Sequence, residues 1–255
     1  MRLLAALSLL TTLTTSSSLP SPQHIFSNPS PDDSNTDYRI PTIHESAIQA
    51  RRILSLETIG TLSTVFPSSH DSLSPSENRP SGLGGAPIGL MDYYGDCEPS
   101  TGNPTILAIS IATSFKNVAA GSNITLSLRW HPQHGHPPSH AFHSAAALPR
   151  FSLIGHLEEL DEDEVTKAGV AACFVKKHPD AAWWLPGNRI HESRWVRLVV
   201  EEVYWIGGFG DRAYIGWIPV EEWRNVTREE MERSKLPGEK TGWREWFGGG
   251  LGWEL

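Results

Sequence analysis

Five histidines, His131, His134, His136, His140 and His143, fall within 13 residues, the densest set of metal-binding side chains in the chain. Imidazoles at such spacing bind zinc, copper or nickel when a rigid element fixes them. Here His131-Pro132 and His136-Pro137-Pro138 put them in an irregular loop, so His131, His134 and His136 are weak metal candidates and a surface insertion is the expected reading. Nucleophilic chemistry has no support. There is no Gly-x-Ser-x-Gly elbow, no P-loop and no His-Glu-x-x-His. Cys97 lies between Asp96 and Glu98, carboxylates that raise a thiol pKa rather than activate it. Two cysteines, Cys97 and Cys173, exclude a four-thiolate zinc site and leave one possible disulfide, whose formation depends on geometry. The acidic run Glu158 to Glu164 lacks the alternating oxygen ligands and central glycine of a calcium loop and reads as the start of a helix.

The composition is that of a globular chain: 255 residues, 39% hydrophobic, 20% charged, net charge −8. Residues 1–150 carry 8 basic and 10 acidic side chains, and residues 151–255 carry 13 and 19. Neither half offers a counterion-releasing surface, so nucleic acid is not an expected partner.

Residues 1–18 have the pattern of a signal peptide: Arg2, the apolar run Leu3–Leu10, then small residues near Ser16 and Ser18. The run is too short to predict a stable membrane anchor. Secretion, or delivery to the secretory and endolysosomal route, is the expected localisation. Asn123-Ile-Thr125 and Asn225-Val-Thr227 are glycosylation sequons that fit this route. Residues 19–40, rich in Ser, Pro, Asp and Asn, read as a disordered leader. Residues 228–255 are charged and then Gly/Trp-rich. They read as a loosely ordered extension, with packing on the body or an extracellular protein partner as the alternatives.

Between them, one domain spans residues 41–227. Thr42 and Glu45 predict a capping box, and Ala47, Ala50, Ile53 and Leu54 recur at helical spacing until Gly60. Seven strand-like segments follow: 61–66, 86–93, 105–112, 123–130, 151–158, 195–206 and 213–218. A single helix is expected from Asp161 to Lys177, with Val165, Ala168, Ala172 and Val175 on its buried face. No helices alternate with the strands, so the class is mainly β with helical additions, a small antiparallel barrel rather than a doubly wound sheet. The ten tryptophans all lie at or after residue 130. Trp183, Trp184, Trp195, Trp205 and Trp217 serve core and interface packing or carbohydrate stacking, which the sequence does not separate.

Several blocks in order resemble one family. They are the helix running into Gly60-Thr61-Leu62-Ser63-Thr64, then Pro87-Ile88-Gly89, and Ala108-Ile109-Ser110 leading to Ser114-Phe115-Lys116-Asn117. Lys177-His178-Pro179 and Pro219-Val220-Glu221-Glu222-Trp223 continue the series. The chain resembles the CREG family of secreted glycoproteins, pyridoxamine 5′-phosphate oxidase-like members of the FMN-binding split-barrel superfamily. Gly207-Gly208-Phe209-Gly210 is also similar to the haem-degrading HugZ branch. The resemblance implies a six-stranded split barrel over about residues 44–227, a homodimer, and a ligand groove at the subunit interface. In oxidase members a Ser-Arg-Lys-type segment after the third strand holds the FMN phosphate. Its counterpart here is Thr113, Ser114 and Lys116, with one cation where flavoenzymes assemble more. The essential histidine of the HugZ branch has no counterpart, because no histidine follows His191. The expectation is a binding protein without cofactor; the alternative is an FMN-dependent oxidoreductase.

Overall fold

The computed structural model describes residues 39–68, 79–132, 145–210 and 212–239. The signal peptide, nearly all of the leader, His134, His136 and the Gly/Trp-rich end of the tail lie outside the described residues. Helix α1 (Ile43–Leu56) starts at Thr42, whose hydroxyl accepts from the Glu45 amide while Glu45 accepts from the Thr42 amide. It buries Ala47, Ala50, Ile53 and Leu54. The strands are β1 (Ile59–Val65), β2 (Pro87–Tyr93), β3 (Thr105–Ile109), β4 (Ile124–Arg129), β5 (Arg150–Glu159), β6 (Ser193–Ile206) and β7 (Ile215–Ile218). Helices α2 (Thr113–Ala119), α3 (Glu162–Lys167), α4 (Val170–Lys177), α5 (Val220–Asn225) and α6 (Arg228–Arg233) complete the body.

All pairings are antiparallel, in the order β2-β1-β4-β5-β6-β3, with β7 added to the far end of β6. Six strands form the path and the seventh is an appendage. Because side chains alternate along each strand, the registers define rows across the sheet. One row reads Leu90, Leu62, Leu126, Leu153, Val203 and Ile218. Its members from Leu62 to Ile218 are buried and pack with α1, Trp205 and Trp223 in the main core. Each such side chain contributes about 1.5–3 kcal/mol on burial. The adjacent row is Met91, Thr61, Ser127, Ser152, Tyr204 and Trp217, and it faces outward.

The sheet curls so that its two edge strands, β2 and β3, approach each other. They share one isolated bridge, Gly95 with Thr105, and otherwise leave a seam. At Gly155 the β5–β6 register shifts, and a Cβ there would lie 1.9 Å from the Val199 carbonyl oxygen. The crossing strand therefore accepts only glycine at that bulge.

Two expectations are corrected. The stretch 161–177 is two helices, because Gly169 takes a left-handed conformation (φ 61°) and turns the chain. The buried face consequently belongs to Val170 and Phe174, while Ala168 and Ala172 are exposed. Strand β3 ends at Ile109 rather than at Ala112, and Ala112 becomes the N-cap of α2. The body also continues beyond residue 227. Thr227 caps α6, Met231 and Leu236 are buried in the main core, and Arg52 of α1 pairs with Glu239.

Candidate functional site

The seam between β2 and β3 is covered by the segment that follows β5. Phe174 of α4 is fully buried in a second core with Cys97, Leu107, Val170 and Trp195. Cys97, just past β2, and Cys173 of α4 are joined by a disulfide. His178 continues the attachment: its Nε2 donates to the Tyr94 carbonyl at 2.9 Å, and its ring stacks on Tyr93 at 4.1 Å. The Tyr93 hydroxyl donates to Asp180 at 3.0 Å. Arg197 of β6 closes the outer side by pairing with Glu98, Glu158 and Glu164. One loop, one strand end and α3 are thereby held by a single guanidinium.

A cavity of about 240 Å³ remains in the seam, walled chiefly by Met91, Tyr93, Ile109, Phe174 and Trp184, with Asp92 in its lining. Asp92 Oδ1 accepts from the Tyr93 amide at 2.8 Å. Burial pushes the Asp92 carboxyl above its ordinary range, against the pull of that hydrogen bond and of His178. Among the described residues Asp92 is the one carboxylic acid in the lining, and no lysine or arginine is part of it.

The residues singled out after β3 lie apart from that lining, on α2. Asn117 Nδ2 donates to Thr64 Oγ1 at 3.0 Å in the interior and fixes the helix on β1. Ser114 is buried, at 2% exposure. Thr113 and Lys116 are half-buried, and Lys116 is the only cation on the helix. Two arginines that precede and follow it in the barrel make other contacts. Arg79 lies over the Phe66 ring and donates to the Pro67 carbonyl. Arg129 donates to His131 Nε2 at 2.6 Å.

With Nε2 accepting that bond, Nδ1 of the exposed His131 ring faces Glu57 at 3.2 Å. Among the described residues no three histidines, cysteines or carboxylates are grouped to hold an ion. Both sequon asparagines are exposed, Asn123 before β4 and Asn225 at the end of α5.

Two other hollows lie on the surface. One, about 280 Å³, runs along the outward row at Thr61, Ser127, Ser152 and Tyr204, rimmed by Arg129 and Arg150. The other, about 450 Å³, lies between α1 and α6 and is lined by Arg39, Glu45, Glu230 and Arg233. Its charges are largely matched locally, Arg39 with Glu45 and Arg233 with Glu229.

A family model described as CREG, β-barrel matches residues 41–225. The chain belongs to the CREG β-barrel family. The match ends at the close of α5, and α6 lies beyond it. A search of curated proteins found no match. Among solved structures, the CREG barrel is similar to a haem-binding protein from Mycobacterium smegmatis. The two are 20% identical with a TM-score of 0.51, over 73% of this chain and 61% of that one. This chain thus spans less than two thirds of that protein, and the likeness concerns the fold. Atu2129 of Agrobacterium tumefaciens is 21% identical with a TM-score of 0.45, over 70% and 65% of the two chains.

The disulfide partners and the α2 residues were visible in the sequence. Asp92, Tyr93 and Phe174 were not, and Trp184 was read only for packing or carbohydrate stacking, because these residues meet only when the sheet curls its edges together. Among the described residues, no helix of this CREG barrel is long and apolar enough to cross a membrane.

Proposed function

We propose that this CREG-family chain is exported, glycosylated at Asn123 and Asn225, and works as a homodimer by binding, with no catalytic step of its own. The observation that carries this reading is the charge around α2. A bound FMN would supply redox chemistry, and its dianionic phosphate needs several cationic or hydrogen-bonding groups converging on one point. At α2 stand Lys116, a buried Ser114 and an N-cap, Ala112, without a side-chain hydrogen bond. Arg129 donates to His131, and Arg79 lies over the Phe66 ring with one nitrogen on the Pro67 carbonyl. These residues do not fit that phosphate. The seam argues the same way, since its 240 Å³ falls below the roughly 300–1,000 Å³ of pockets for drug-sized ligands. Dimerisation is supported by the outward row, where Met91 and Trp217 leave 79% and 54% of their surface exposed on either side of the Ser127–Ser152 hydroxyl pair.

The decisive experiment is an absorption spectrum of the purified, exported protein in the flavin band, with mass spectrometry of any released small molecule. A colourless protein without flavin is expected. Stoichiometric FMN, or submicromolar FMN binding that Lys116→Ala abolishes, would overturn the reading in favour of an oxidoreductase.

A further inference from the structure

We propose that the seam cavity is a binding site for a small organic cation, an ammonium group on a short apolar body, with Asp92 as its counter-ion. The inference rests on the reading of the protein as a binder and names the class of ligand. Three properties of the cavity select that class.

The first is sign. Asp92 is the one charged side chain in the lining. Its Oδ1 is occupied by the Tyr93 amide, no arginine or lysine is paired with it, and His178 acts on it without a direct hydrogen bond while its own Nε2 donates to the Tyr94 carbonyl, so the carboxyl has no cation in contact. A phosphate or carboxylate ligand would meet repulsion at this carboxyl, and a cation would meet its complement. The second is wall chemistry. Tyr93, Phe174 and Trp184 present aromatic surface, and the largely exposed Met91 adds a polarisable thioether at the rim. Aromatic faces attract ammonium groups through the ring quadrupole, most strongly when water is excluded. The third is rigidity. The cover over the seam is held by the Cys97–Cys173 disulfide, the His178–Tyr93 stack and the Tyr93–Asp180 hydrogen bond. Such walls lose little freedom when a ligand enters. About 240 Å³ suits a molecule the size of benzylamine and not a nucleotide.

The test uses the intact mature protein and benzylammonium, with benzyl alcohol and benzoate as neutral and anionic analogues of one shape. Calorimetric titration gives the affinities, and the Met91 methyl resonance reports occupancy of the seam. Benzylammonium should bind at least ten-fold more tightly than benzyl alcohol, benzoate should not bind, and the Met91 signal should shift with the same isotherm. Asp92→Asn keeps the acceptor for the Tyr93 amide and should remove the preference for the cation. Trp184→Leu should weaken benzylammonium without reversing the order. Equal binding of the three probes, a preference that survives Asp92→Asn, a silent Met91, or no binding at millimolar concentration would each overturn the proposal. The wild-type comparison stands even if Asp92→Asn fails to fold. A colourless protein that ignores benzylammonium sinks this inference alone, whereas flavin in the purified protein sinks the function proposed above.

Discussion

Replacing Cys97 and Cys173 together by alanine should cost the protein about 3–4.5 kcal/mol at 25 °C. The upper figure comes from chain entropy. The disulfide joins residues 76 apart, and a cross-link closing a loop of that size removes about 4.5 kcal/mol of freedom from the unfolded chain. The lower figure allows for residual structure in the unfolded state. Native contacts should change little, because the cover keeps the buried Val170 and Phe174, the His178–Tyr94 hydrogen bond and the Arg197 cluster. Urea unfolding followed by tryptophan fluorescence measures the loss. The denaturant slope should rise as the unfolded chain expands. Wild-type protein in a strong reductant should converge on the variant. A loss below about 1 kcal/mol, or reduced wild type as stable as oxidised, would refute the argument that the cross-link acts through the unfolded chain.

Arg51 of α1 is fully buried, donates to the Trp223 carbonyl at 2.9 Å and to the Pro99 carbonyl, and lies over the Trp223 ring. Arg51→Met keeps the bulk and strands both acceptors, so chemical denaturation should show a loss of about 2–4 kcal/mol; a change within about 0.5 kcal/mol would contradict it. His44 faces Glu222 through Nδ1 at 2.8 Å and Glu230 through Nε2 at 3.1 Å, a geometry in which only the imidazolium donates to both carboxylates. Its pKa is raised, by Glu230 and then Glu222, while Glu230 is held at about 2, first by the Thr227 amide. A raised histidine stabilises below its unfolded pKa of about 6.5 and loses that contribution as pH climbs through the folded value. The stability gap between wild type and His44→Gln should therefore be largest below about pH 6.5, at no more than about 1 kcal/mol for so exposed a group, and fall away as pH rises through the raised pKa; a gap that grows with pH would reverse the assignment. Trp217→Glu on the outward row should convert a dimer to a monomer in light scattering at micromolar concentration with no loss of secondary structure, and an unchanged mass would remove that face from the interface.

Local signals carried much of the architecture. The Thr42–Glu45 capping box, the period-two strands and the acidic first turn at Asp161 all rest on neighbours a few residues apart, and each reappears in place. The break at Gly169 was hidden because Val165, Ala168, Ala172 and Val175 keep helical spacing straight across it. Arg51 and Arg52 stand side by side in the sequence with nothing to distinguish them. One is sealed in the core, and the other reaches Glu239 in a segment that the sequence left as an extension. The seam was beyond reach for a different reason. Asp92 and Tyr93 read as an ordinary strand end until β3, the strand opposite, is carried there by its pairing with β6.

That pairing sets a clock on biosynthesis. Strand β6 is the common partner of β5, β3 and β7, and it is made late. The strands β1, β2, β4 and β5 can zip together as they emerge, but β3 has only the isolated Gly95–Thr105 bridge until residue 193 is translated. About eighty residues separate them, or roughly 4–16 s of synthesis at ordinary elongation rates. Throughout that interval Thr105-Ile106-Leu107-Ala108-Ile109 waits as an uncharged, apolar, unpaired strand, the kind of segment that seeds association between chains. Substitutions that delay the docking of β6 should therefore show first as lost yield during expression, before any change in the stability of the molecules that finish folding.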